Sequence, residues 1–156
     1  MVDAGGPGLE IVDQPDAEAN KAVLDGLLAH NRPYLGPPDH RFLGVYARAG
    51  GGELLGGLVG ETGRGFLAVD LFWVDERERG KGLGSRLLAA AEVEAAARGC
   101  LAAWLDTYSF QARPFYERHG YTLFAELGGF PNGHRRLFMA KRLATAPRDV
   151  KGGVRG

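Results

Sequence analysis

Arg79-Gly80-Lys81-Gly82-Leu83-Gly84 lies between an apolar run, Val69 to Val74, and an Ala/Leu-rich run with helical spacing, Ser85 to Arg98. Glycines at alternate positions let backbone amides crowd an anion, and a helix start adds positive potential at the same place. The segment reads as a phosphate-binding loop. An apolar run follows at Leu101 to Leu105, with Gly99 as the helix stop. Strand, helix and strand in this order predict a right-handed βαβ crossover with parallel strands.

Before the loop, Arg41 to Ala47 and Glu53 to Val59 are short apolar runs separated by Ala49-Gly50-Gly51-Gly52, a hairpin signal. A second glycine-bearing turn, Glu61 to Gly65, leads into Phe66 to Val74, so three strands are expected as an antiparallel meander. Ala17 to His30 spaces Val23, Leu24, Leu27 and Leu28 as a helix, with Asp16 as N-cap and Pro33 as stop. After the crossover, a short helix is expected at Gln111 to His119, closed by Gly120, then strands near Tyr121 to Leu127 and Arg136 to Arg142. Segments 1–8 and 144–156 lack apolar periodicity and read as flexible tails around a single domain, 9–143. The fold class is mixed α+β.

The chain has 156 residues, enough for one domain with a real core, and a formal net charge of zero. A balanced chain has no global pull towards nucleic acid or anionic membrane. No run approaches the roughly 18 to 20 apolar residues of a membrane span, and no signal pattern opens the chain, so a soluble, cytoplasmic protein is expected. Cys100 stands alone and reads as a buried structural thiol. The histidines (His30, His40, His119, His134) show no ligand spacing, so no metal is expected.

Two phosphate ligands are excluded by pattern. A Walker loop needs Gly, four residues, then Gly-Lys-Ser/Thr, which is absent. A dinucleotide fingerprint needs Gly-x-Gly-x-x-Gly in the first βα turn, whereas Gly80, Gly82 and Gly84 follow three strands. Instead, Arg79 to Gly84 fits Gln/Arg-x-x-Gly-x-Gly/Ala without a gap. Leu87-Leu88 follow in the helix, and Phe115-Tyr116-Glu117-Arg118-His119-Gly120-Tyr121 fits Phe-Tyr-x-x-x-Gly-Phe/Tyr downstream. Over residues 9 to 143 the chain resembles the GNAT superfamily of acetyl-coenzyme A dependent N-acetyltransferases.

That resemblance implies a central, mostly antiparallel sheet of six to seven strands with the parallel crossover at a splayed centre, flanked by helices. It implies acetyl-coenzyme A as co-substrate, its pyrophosphate held by Arg79, Gly80, Lys81, Gly82, Leu83 and Gly84, with Ser85 just beyond. The pantetheine arm would lie along the main chain of Phe72, Trp73 and Val74, with the Val74 N–H as oxyanion donor. Tyr116 matches the family's frequent general acid for the leaving thiolate. The family's asparagine near this helix is missing, so Gln111 or Ser109 would replace its contact.

For the base, Asp70 interrupts an apolar run, which costs free energy unless the carboxylate is solvated, paired or functional. Period-two geometry puts it on the face of Val74. Glu61 and a chain of waters are alternatives. The loop Phe130-Pro131-Asn132-Gly133-His134 would wall the acceptor site, while His119, beside a helix end, is not expected to be catalytic. The expected activity is direct acetyl transfer to a primary amine of a small molecule such as a metabolite or antibiotic. A protein lysine or N-terminus as acceptor and a non-catalytic coenzyme A-binding module are the alternatives. Pairing of edge strands leaves a homodimer open.

Overall fold

The computed structural model describes residues 6–144. The expected tails lie outside the described residues apart from 6–8 and 144. The chain divides into two compact units, with the boundary between Pro38 and Asp39.

The first unit holds helix α1 (Ala17–Leu35). Its cap is as expected: Asp16 Oδ1 accepts from the Ala19 N–H at 2.9 Å. The helix does not stop at Pro33 but runs to Leu35 and ends at Gly36, whose N–H donates to the Arg32 carbonyl at 2.9 Å. A proline this close to a C-terminus removes one donor without a long helix beyond it to break.

The second unit is built on a six-stranded sheet. Its elements are β1 (Arg41–Arg48), β2 (Leu54–Gly63), β3 (Phe66–Val74), α2 (Leu83–Ala97), β4 (Ala102–Tyr108), α3 (Arg113–Arg118), β5 (Thr122–Leu127) and β6 (Arg136–Arg142). Strand order is β1-β2-β3-β4-β6-β5, with the meander as predicted and β3–β4 the one parallel pair. The fold is α+β, a mostly antiparallel open sheet. β6 inserts between β4 and β5, which covers the outer edge of the crossover strand.

One face of the sheet is closed by α2. Leu88, Ala91 and Ala95, spaced three and four apart, are fully buried against Leu58, Leu67, Ala103, Leu105 and Met139. Cys100 lies in this core as a free thiol, and burial raises its pKa, which fits the structural assignment. Tyr121 ties β5 to α2: its hydroxyl donates to Glu92 Oε1 at 3.0 Å, and Lys141 Nζ donates to Glu92 Oε2 at 2.7 Å.

The centre of the sheet is open. β3 and β4 pair only from Phe66 to Val69 against Ala102 to Leu105. The pairing ends where β3 bulges: Gly60 of β2 pairs with Val69 and Val59 with Leu71, which leaves Asp70 as the extra residue. The bulge resets the alternation of side chains. Leu67 and Val69 are buried before it, Phe72 and Val74 half-buried after it, and Leu71 and Trp73 are exposed. The period-two argument that put Asp70 on the face of Val74 therefore fails. Asp70 shares the opposite face with Leu71 and Trp73, because the inserted residue shifts the count by one.

Candidate active site

Beyond Val69, β3 keeps β2 on one edge while β4 turns to β6, so alternate backbone groups of Asp70 to Val74 face an opening. That opening is a cavity of about 980 Å³. Its wall brings together Asp70, Phe72, Trp73, Val74, Arg79, Gly80, Gly82, Leu83, Gly84, Ser85, Gln111 and Tyr116, from both sides of the split. The alternatives Glu61 and Ser109, the loop Phe130 to His134, and Lys81 are not among its lining. Lys81, of the loop itself, is exposed and pairs with Glu78 at 3.5 Å.

The loop divides its glycines between two tasks. Gly80 (φ +73°) and Gly82 (φ +83°) hold left-handed conformations, while Gly84 is already helical, one residue into α2. At Gly82 a side chain has space but the wrong backbone; at Gly84 a Cβ would meet Phe115 at an ordinary 3.5 Å. Gly82→Ala should therefore cost about 1–2 kcal/mol of stability and weaken coenzyme A binding, whereas Gly84→Ala should keep both, as thermal melts and titration calorimetry would measure. Arg79 folds back on the strand end, its Nε donating to the Val74 carbonyl at 3.3 Å.

Tyr116 is the buried residue of α3, with ring centroids 6.3 Å from Phe72 and 5.3 Å from Phe115. Among the described residues its hydroxyl makes no hydrogen bond, and no fully buried side-chain oxygen among them goes unpartnered. The hydroxyl therefore opens to the cavity that Tyr116 lines. Tyr121, by contrast, spends its hydroxyl on Glu92. Burial, with a smaller contribution from Asp106, pushes the Tyr116 phenol up to about 12.

Asp70 is also raised above the usual carboxylate range, first by burial and then by Glu61 and Asp106. Glu61 itself sits 3.2 Å from His40 Nδ1. Asp106 and Arg136 are residues of this wall that sequence reading missed: Arg136 Nε donates to Asp106 Oδ2 at 2.6 Å. Thirty residues separate the two, and only the β4–β6 register brings them together.

Gln111 is half committed. Its Oε1 accepts from Tyr108 N at 2.7 Å and Thr107 Oγ1 at 3.0 Å, which leaves its amide donors for the cavity. Ser109 instead latches the β5–β6 loop, accepting from Arg135 N at 3.0 Å. His134 packs behind Phe110 of the wall, ring centroids 4.7 Å apart.

A strand, a glycine loop at a helix start, and a phenol across a split sheet form one unit. The acetyltransferase (GNAT) family model matches residues 10–121. The chain belongs to the GNAT acetyltransferase family. An acetyltransferase of Agrobacterium fabrum is 43% identical over 130 residues, covering 83% of this chain and 95% of that protein. A blasticidin-S acetyltransferase of Streptomyces morookaense is 38% identical over 138 residues, covering 88% and 97%. A crystal structure from Agrobacterium tumefaciens superposes with a TM-score of 0.81 at 41% identity, covering 88% of this chain and all of that one. As a GNAT enzyme the protein is an acyltransferase, and the family's co-substrate is an acyl-coenzyme A. The residues present suit that group: a two-glycine anion cradle opens into a cavity edged by unpaired strand backbone. Among the described residues no helix is long and apolar enough to cross a membrane.

Proposed function

We propose that the protein transfers the acetyl group of acetyl-coenzyme A directly to a primary amine of a small molecule, with Tyr116 as general acid and Asp70 as general base. The observation that carries this is the Tyr116 hydroxyl, on a buried ring, without a hydrogen-bond partner among the described residues and open to the cavity. Its raised pKa keeps it protonated at neutral pH, ready to protonate a leaving thiolate. Burial that lifts the phenol lifts the thiol expelled beside it as well. The backbone of residues 79 to 84 takes the diphosphate, and the main chain of Phe72 to Val74 takes the pantetheine arm, the Val74 N–H meeting the thioester oxygen.

On the other side of the split, Asp70 is the carboxylate with the raised pKa. An ammonium acceptor must lose a proton before it attacks, and Asp70 removes it only when ionised. A small-molecule acceptor is supported by the 38% identical relative named for an antibiotic.

Coenzyme A release across a panel of small cationic amines, with lysine and free-N-terminus peptides beside them, tests this. Turnover on small amines should exceed that on peptides by at least ~10-fold in kcat/KM. Tight coenzyme A binding with no turnover on any amine would favour the binding-module alternative. On the best amine, kcat/KM should rise with pH through the raised Asp70 pKa, since the base is lost on protonation. Asp70→Asn should remove that limb and lower the plateau ~10²-fold.

A further inference from the structure

Ser85 is the third residue of α2 and lines the cavity beside the glycine loop. Its Oγ lies 2.9 Å from His119 Nε2. His119 directly follows α3, the helix that carries Tyr116, and its imidazole packs 4.6 Å from the Phe115 ring. Phe115 in turn lies over Gly84. The start of α2 is thus fastened to the end of α3 by one ring contact and one polar contact.

The polar contact decides what Ser85 offers to the cavity. A serine hydroxyl has one proton and two lone pairs. Were Nε2 bare, it would take the Ser85 proton and leave only lone pairs for a ligand. With hydrogen on Nε2, His119 donates to Oγ, and Ser85 keeps its proton for a second acceptor. A phosphate diester oxygen brings lone pairs and no proton, so it selects the second arrangement. We propose that His119 is a positioning residue for the diphosphate of the coenzyme: through Nε2–H it turns the Ser85 hydroxyl into a donor towards the phosphates cradled by residues 79 to 84. This rests on the donor-site assignment proposed above and adds a residue to it, reaching the ligand only through Ser85.

His119→Phe keeps a ring on Phe115 and removes the polar contact, while His119→Gln sets an amide N–H near the place of Nε2. In titrations with coenzyme A, His119→Phe and Ser85→Ala should each weaken binding about 5- to 15-fold. The double variant should be no weaker than Ser85→Ala alone, because His119 reaches the ligand only through the Ser85 hydroxyl. His119→Gln should stay within about twofold of the wild type. With S-acetylpantetheine, which lacks the diphosphate, kcat/KM of His119→Phe should match that of the wild type, and with acetyl-coenzyme A its KM should rise at unchanged kcat.

Wild-type coenzyme A affinity in His119→Phe, additive losses in the double variant, or an equal loss with S-acetylpantetheine would each overturn the proposal. Should His119→Phe melt early, His119→Asn, whose amide is too short to reach Ser85 Oγ, takes its place beside His119→Gln. Failure of the wild type itself to bind coenzyme A would overturn the donor-site assignment and this proposal together; binding that ignores His119 would overturn this proposal alone.

Discussion

Tyr116→Phe should slow acetyl transfer by ~10²- to 10³-fold while leaving the KM for acetyl-coenzyme A within about twofold. The change removes one oxygen that makes no hydrogen bond among the described residues. The ring keeps its neighbours, Phe72, Phe115 and Tyr121, at centroid distances of 6.3, 5.3 and 5.9 Å. No buried partner is left unsatisfied, so the melting temperature should hold within about 2 °C. A loss of rate without a loss of stability separates chemistry from packing.

Tyr121→Phe is the opposite case. It strands a Glu92 oxygen and should cost about 1 kcal/mol of stability with kcat unchanged. The pH profile gives a second check on Tyr116. A phenol pushed up to about 12 stays protonated through the usual assay range, so its deprotonation should produce no falling limb below pH ~10. If Tyr116→Phe keeps full kcat at every pH, the general-acid assignment is wrong and water must protonate the thiolate.

The donor half of the site was legible because its signals are local. A loop of alternating glycines before a helix, an apolar strand ahead of it and a Phe-Tyr pair on a short helix are each contained within a few residues. Arg136–Arg142 and the meander followed from composition in the same way. What was not legible depends on register. Phe66 to Val74 is apolar on both faces except at Asp70, so no polar alternation existed for a one-residue bulge to interrupt, and Asp70 was counted onto the wrong face. Asp106 with Arg136, and Ser85 with His119, are separated by 30 and 34 residues, and no spacing rule links them. Lys81 lies within the motif but outside the wall, its exposed side chain paired with Glu78 between two left-handed glycines, a placement no residue-type pattern announces.

Gly60→Ala should be among the most damaging single substitutions in the sheet. A Cβ there would stand 2.2 Å from the Ala68 carbonyl oxygen, 3.1 Å from its carbon and 3.2 Å from Val69 Cα. All three are backbone atoms, so no rotamer relieves the clash, and β2 must part from β3 at the bulge. The cost should be about 3 kcal/mol, at the upper end for overpacking. Gly63→Ala is the control: its Cβ would meet the His40 ring at 2.8 Å, a side chain able to swing aside, so its loss should be below about 1 kcal/mol.

The consequence reaches function through the same bulge. The inserted Asp70 is what turns Phe72 towards Phe115 and Tyr116 and leaves Leu71 and Trp73 on the other face. A register slip that absorbed the bulge would exchange these pairs along the whole end of β3. It would also remove the point at which β3 leaves β4. Gly60→Ala should therefore lose coenzyme A affinity at least ~10-fold at temperatures where the protein is still folded, since both the apolar wall and the open strand edge are displaced. Calorimetry of unfolding and of coenzyme A binding on the same sample reads both effects. A variant that melts with the wild type and binds coenzyme A as tightly would show that the split of the sheet does not depend on the close approach of Gly60 to Ala68.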